Sequence, residues 1–215
     1  QIGAWVSAKV TGMLSDKSGL AVTVTTGSHT FDAVLPAHHL SDVTTDVAAL
    51  LSAYAEDSVE FPHAIVLSKY NEKYIISVKP MRLAFAAKLD IPSFLATLTS
   101  AKLADFNSLF NNALIAAGVA VGKVAEVPLR VEQLSTDDLV VGNVSNISDF
   151  GVFVRSVGGL TYFCPKATLS DAFVSDANEL FTVGQTVVGV ITSIDSDGDS
   201  PRIMMSLKPS AVTNK

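Results

Sequence analysis

Asp149-Phe150-Gly151-Val152-Phe153-Val154 is the stretch of this sequence that holds most chemistry. Phe150 and Phe153 stand three apart, Tyr162 follows on the next β-rich run, and Arg202 opens a later one. Exposed aromatic rings beside an arginine on a barrel face form a shelf on which nucleobases stack. Other reactive residue types are poorly spaced. His29, His38, His39 and His63 lack Cys or Asp partners at metal-ligand spacing. Asp195-Ser196-Asp197-Gly198-Asp199 has the acid density of a calcium loop, but its glycine is displaced and Ser206 stands where a bidentate Glu is required. It reads as a solvated hairpin. Cys164 in a strand reads as a small buried hydrophobe. Asp149-Phe150-Gly151 has no accompanying phosphate loop or catalytic loop, and no nucleophile is paired with a base. The expectation is a protein with no catalysis, no cofactor, no metal and no small-molecule substrate.

The elements that must position these residues are short strands. Val140–Ile147 and 151–157 are β-rich runs, Gly158-Gly159 turns the chain into Leu160–Cys164, residues 170–182 suit a helical turn, and Val187–Ile194 and Arg202–Leu207 flank a turn cluster. Five strands with a helical turn after the third is the layout of an OB barrel. Alternation points Val152 and Val154 inward and Phe153 and Arg155 outward, with Gly151 bending the chain so that Phe150 joins Phe153. On the next run Thr161 and Phe163 are expected inside, Leu160 and Tyr162 outside. Arg202 is expected outside, with Ile203, Met205 and Leu207 in the core. Without neighbours to orient them, Phe150 and Phe153 read equally well as core.

The same plan occurs twice. Pro36-Ala37-His38-His39-Leu40-Ser41-Asp42 returns as Pro165-Lys166-Ala167-Thr168-Leu169-Ser170-Asp171 at an offset of 129 residues. At that offset Ser77-Val78-Lys79-Pro80 falls on Ser206-Leu207-Lys208-Pro209. A register kept from end to end means one supersecondary unit copied. The first copy has strands at Val6–Met13, Leu20–Thr25, His29–Leu35, Val59–Leu67 and Tyr74–Val78, with a helix over Asp46–Tyr54. The organisation is therefore a barrel over 1–80, a connector over 81–136 and a barrel over 137–215. In the connector, Phe106, Leu109, Phe110, Ala113 and Leu114 follow helical spacing up to Gly118, and a shorter helix follows Pro92. Val127, Leu129 and Val131 alternate as an edge strand with Pro128 outward. Such a connector is expected to pack on a barrel.

Residues 1–80 carry five Lys and Arg against eight Asp and Glu, and residues 137–215 carry five against nine, so neither barrel has a dedicated phosphate grip. At 48% hydrophobic and 17% charged, part of the surface is expected to be covered by partners. One cysteine points to a reducing compartment, no apolar run reaches a bilayer's width, and Gln1 opens the chain without a methionine, as in a piece of a longer protein.

The second copy resembles the S1 RNA-binding domain. Its marks are Gly142, Asp-Phe-Gly-Val-Phe at 149–153, Gly159-Leu160, Val183-Gly184-Gln185, Ile194-Asp195, and Arg202-Ile203 ahead of Ser206-Leu207-Lys208. The resemblance implies a mainly β fold of two five-stranded S1-type OB barrels joined by a partly helical connector. It implies an RNA-contacting set of Phe150, Phe153, Tyr162, Asp195 (or Asp197) and Arg202, with Tyr162 where many members have His; Lys166 is expected to join this set. The first copy reads Ser18-Gly19-Leu20-Ala21 where the Phe-Gly-Val-Phe run would be, with Ala33 for the third-strand aromatic and Lys73 for Arg202. It keeps the framework without the contact face and is expected to bind protein or act as a spacer. Leu35-Pro36-Ala37-His38-His39-Leu40-Ser41-Asp42 and the Lys-Pro closing each barrel are similar to the repeats of the ribosomal RNA processing protein 5 family, nucleolar scaffolds of tandem S1 domains. That similarity implies pre-rRNA or other single-stranded RNA and ribosome-assembly proteins as partners, a nucleolar location and no membrane. The alternative is a protein-docking spacer that touches no RNA.

Overall fold

Period-two alternation along ten strands closes two barrels of identical topology. In the computed structural model, which describes residues 1–42, 46–97, 106–156, 159–196 and 201–214, the chain divides into units Gln1–Val127 and Pro128–Lys215. The first barrel comprises β1 (Trp5–Met13), β2 (Gly19–Thr26), β3 (His29–Pro36), β4 (Glu60–Tyr70) and β5 (Lys73–Ser77) in the closed order β1-β2-β3-β5-β4, with helix α1 (Val47–Glu56) between β3 and β4. The second comprises β6 (Leu139–Ser148), β7 (Gly151–Ser156), β8 (Thr161–Pro165), β9 (Thr186–Asp195) and β10 (Arg202–Ser206) in the matching order β6-β7-β8-β10-β9. In both, the third and fifth strands run parallel and all other pairs antiparallel. Val6, Ala8, Val10, Val22, Val24 and Ile76 fill the first core; Val144, Val152, Val154, Ile191 and Met205 fill the second.

Glycine is required where β7 starts. Gly151 has φ +153°, and a Cβ there would collide with the Cys164 carbonyl on β8; Gly19 makes the same close approach to Leu35 in the first barrel.

The repeated motifs turn out to be a closing latch. Val78 N donates to His39 O at 3.1 Å and Leu207 N to Thr168 O at 2.8 Å. Ser77 Oγ donates to the same His39 O, and Ser206 Oγ to the same Thr168 O, each at 3.4 Å. Lys79-Pro80 and Lys208-Pro209 then start short helices, α2 (Pro80–Ala86) and a last one, Pro209–Thr213, with Pro at the first turn. Asp42 accepts from Met81 N at 2.7 Å and Asp171 from Ser210 N at 3.0 Å, supplying helix-start acceptors from 39 residues away. Lys-Pro is the sequence signal of both helices.

In the first unit the latch is charged and sealed. Lys79 and Arg82 are each 1% exposed beside buried His39. Burial holds the Lys79 amine down at about 8, and burial with Arg82 nearby holds the His39 imidazole down at about 2. The corresponding residues of the second unit are Lys208, Ala211 and Thr168.

The helical stretch after the first barrel belongs to that unit. It contains α3 (Ile91–Ala96) and α4 (Phe106–Ala116), which ends before Gly118 at φ +83°. Phe106 and Phe110 stack at 5.6 Å with Phe94 edge-on. Outward residues His63, Ile65 and Leu67 of β4 are buried, and His63 Nδ1 lies 3.1 Å from Asn111 Oδ1 on α4. Trp5 N donates to Lys123 O and Gly122 N to Trp5 O, both at 2.8 Å.

The expected edge strand over 127–131 does not form. Gln133 Oε1 accepts from Leu129 N and Arg130 N at 2.9 and 3.0 Å, and Val131–Gln133 winds into a 3-10 turn. A side chain takes the donors a sheet partner would have used, and Pro128 has none to offer. In the loop 170–182, helical structure is confined to the 3-10 turn Ala177–Glu179.

Candidate nucleic-acid interface

The outer face of the second barrel carries a row of side chains crossing every strand. Asn146 on β6 is opposite Phe153 on β7, Phe153 opposite Phe163 on β8, Phe163 opposite Met204 on β10, and Met204 opposite Ser193 on β9. Residues directly opposed across strands share a face, so these five stand together. The Phe153 and Phe163 rings lie 4.9 Å apart, tilted by 38°. Both are half-buried, while Val152 and Val154 on either side of Phe153 point into the core. Neither Phe150 nor Phe153 is sealed in the barrel: Phe150 is 80% exposed at the turn into β7.

Tyr162 is a correction. Expected outside, it is 1% exposed, because it opposes Val154 and Ile203, both core residues. Thr161 and Phe163, expected inside, occupy the outer face. The third-strand aromatic that joins Phe153 is therefore Phe163. The register of the β7–β8 hairpin decides which alternate residues of β8 face out; Gly158 of the expected Gly158-Gly159 turn lies outside the described residues. Phe163 was legible in composition but not in direction.

Arg202 is exposed at the start of β10, opposite exposed Asp195 at the end of β9 and two residues from Met204 on the same face. Asp197, the alternative to Asp195, lies outside the described residues. Lys166 is partly committed to structure: its backbone N donates to Phe150 O at 2.9 Å and its Nζ to Ser175 O at 2.6 Å. Cys164 is buried between these strands, and burial pushes its thiol up to about 12. What the face offers chemically is two adjoining rings, a thioether beside them and a guanidinium at the edge.

The first barrel runs through the same positions with different residues. Gly12, Ala21, Val34, Ile75 and Ser68 oppose one another in the order of Asn146, Phe153, Phe163, Met204 and Ser193. Ser18 stands for Phe150, with Ala37 N donating to Ser18 O at 2.9 Å as Lys166 N does to Phe150 O. Ala33, expected as the replacement for the outer aromatic, is buried like Tyr162.

Residues 133–206 match the S1 RNA binding domain family. The chain is 26% identical over 207 residues, 96% of its length, to the protein RRP5 homolog of Homo sapiens, of which it covers 9%. It is 36% identical over 102 residues, 47% of its length, to the rRNA biogenesis protein RRP5 of Arabidopsis thaliana, of which it covers 5%. It thus spans less than a tenth of the length of these two relatives. Among solved structures, the complex of a/eIF2alpha, aDim2p and rRNA from Pyrococcus horikoshii aligns with a TM-score of 0.33 at 22% identity, over 35% of this chain and 45% of that one. Residues 133–206, which hold the second barrel, thus match the S1 RNA binding domain family, within a chain similar along 96% of its length to a segment of the human RRP5 homolog.

Proposed function

We propose that this chain is a non-enzymatic segment of a nucleolar scaffold in ribosomal RNA processing and subunit assembly, whose second barrel holds single-stranded RNA on the outer face of β7, β8 and β10. Bases stack on Phe153 and Phe163, Phe150 and Met204 extend the shelf, and Arg202 meets a phosphate or a base plane. Asp195 sits at the base of the same hairpin, and Lys166 contributes charge next to Phe150. The first barrel, with Ala21, Val34 and Lys73 at the equivalent places, contacts assembly proteins instead. The observation that supports this reading is the Phe153–Phe163 pair on the outer face of a framework whose twin lacks both rings.

Titration of single-stranded RNA against the wild-type chain and against Phe153→Ala with Phe163→Ala tests it. Each ring removed is expected to weaken binding by roughly 1–3 kcal/mol. Unchanged affinity defeats the stacking role. A second reading, that the segment docks proteins and touches no RNA, draws on the acidic balance of residues 137–215, nine Asp and Glu against five Lys and Arg.

A further inference from the structure

We propose that Asn146 reads the edge of the base stacked on Phe153 and Phe163, and that it gives the second barrel a preference for adenine. The inference rests on the RNA-stacking reading above. Asn146 opposes Phe153 directly, at a bulge in β6 between Val144 and Asn146 that sets Ser145 and Asn146, both exposed, beside one residue of β7. Ser145 is spent on the backbone: its Oγ donates to Phe153 O at 3.1 Å. Asn146 is left with its amide toward solvent at the rim of the aromatic pair.

The first barrel supplies an internal control. It has the same bulge, between Val10 and Gly12, and the same anchor, Thr11 Oγ1 donating to Ala21 O at 3.1 Å. The residue at the position of Asn146 there is Gly12, opposite Ala21. The barrel with Ala21 and Val34 in place of the ring pair therefore has no amide beside them, while the bulge and its hydroxyl anchor are kept. The bulge does not itself call for an asparagine.

A carboxamide presents one donor and one acceptor side by side. Every base offers a donor beside an acceptor on its Watson–Crick edge, but on the N7 edge only adenine does, through N6 with N7, whereas guanine shows two acceptors there, so the preference is read on that edge. A purine also covers more of two adjoining rings than a pyrimidine does. Both effects favour adenine at this position.

Fluorescence anisotropy with labelled oligo(A) and oligo(U) of roughly 10 nucleotides decides it on the whole chain. The wild type is expected to prefer oligo(A). Asn146→Ala is expected to weaken oligo(A) about tenfold and leave oligo(U) within about twofold, while Phe153→Ala weakens both. Asn146→Asp, which loses the donor, is expected to lose the preference as well. Equal effects of Asn146→Ala on both oligomers, or none, overturn the assignment while the stacking reading stands. Failure of the wild type to bind either oligomer overturns both together.

Discussion

Adjacent residues of β8 have opposite fates: Tyr162 is core and Phe163 is surface. Phe163→Ala is therefore expected to weaken RNA binding by roughly 1–3 kcal/mol with little change in melting temperature. Tyr162→Ala, which empties a core site, is expected to cost about 3–5 kcal/mol of folding stability; thermal unfolding beside RNA titration separates the two. His39 makes the first unit acid-sensitive. Ordinary imidazole takes a proton near pH 6.5, but the buried ring resists down to about 2. Below pH 6.5 the unfolded chain binds the extra proton, so stability falls on acidification by up to about 1.4 kcal/mol per pH unit. All four histidines lie in the first unit, so its melting transition is expected to drop between about pH 7 and about pH 5 while the second unit's holds. His39→Phe is expected to flatten that slope.

At the scale of elements, the Asp42 and Asp171 latches join residues that the sequence repeats but does not reveal as partners. Asp171→Ala is expected to cost about 1 kcal/mol, as loss of a helix cap does. Asp42→Ala is expected to cost more, because buried Lys79 then loses a neighbouring carboxylate. Denaturant titration of both variants checks the order. The strands were legible because β-branched runs such as Val187–Ile194 are a local signal, as was α4 from its Phe106–Leu114 spacing. Three things were not. The helix after each Lys-Pro owes its start to an acceptor from a distant loop. The alternation at 127–131 was real, but Gln133 competes for the same donors. The facing of β8 depends on hairpin register, which no pattern within Leu160–Cys164 fixes.

At the scale of the molecule, each unit has its own core and its own closed barrel, so Gln1–Val127 and Pro128–Lys215 made separately are each expected to fold. Dispersed amide spectra of the two pieces check this, and failure of either shows that the division is not autonomous. RNA affinity is expected to reside in the second piece and to depend shallowly on salt, since stacking supplies what few cations do not. The barrels share a backbone without sharing contents. Where the second has sealed Tyr162 opposite Ile203, the first has Ala33 opposite half-buried Tyr74, whose ring packs on Phe31 at 4.9 Å, so the ring at this level has moved from the third strand to the fifth. Changing one half alone is expected to cost stability, through a void where a ring is lost or overpacking where one is added. A chimera that takes its third strand from one barrel is therefore expected to be more stable when its fifth comes from the same barrel.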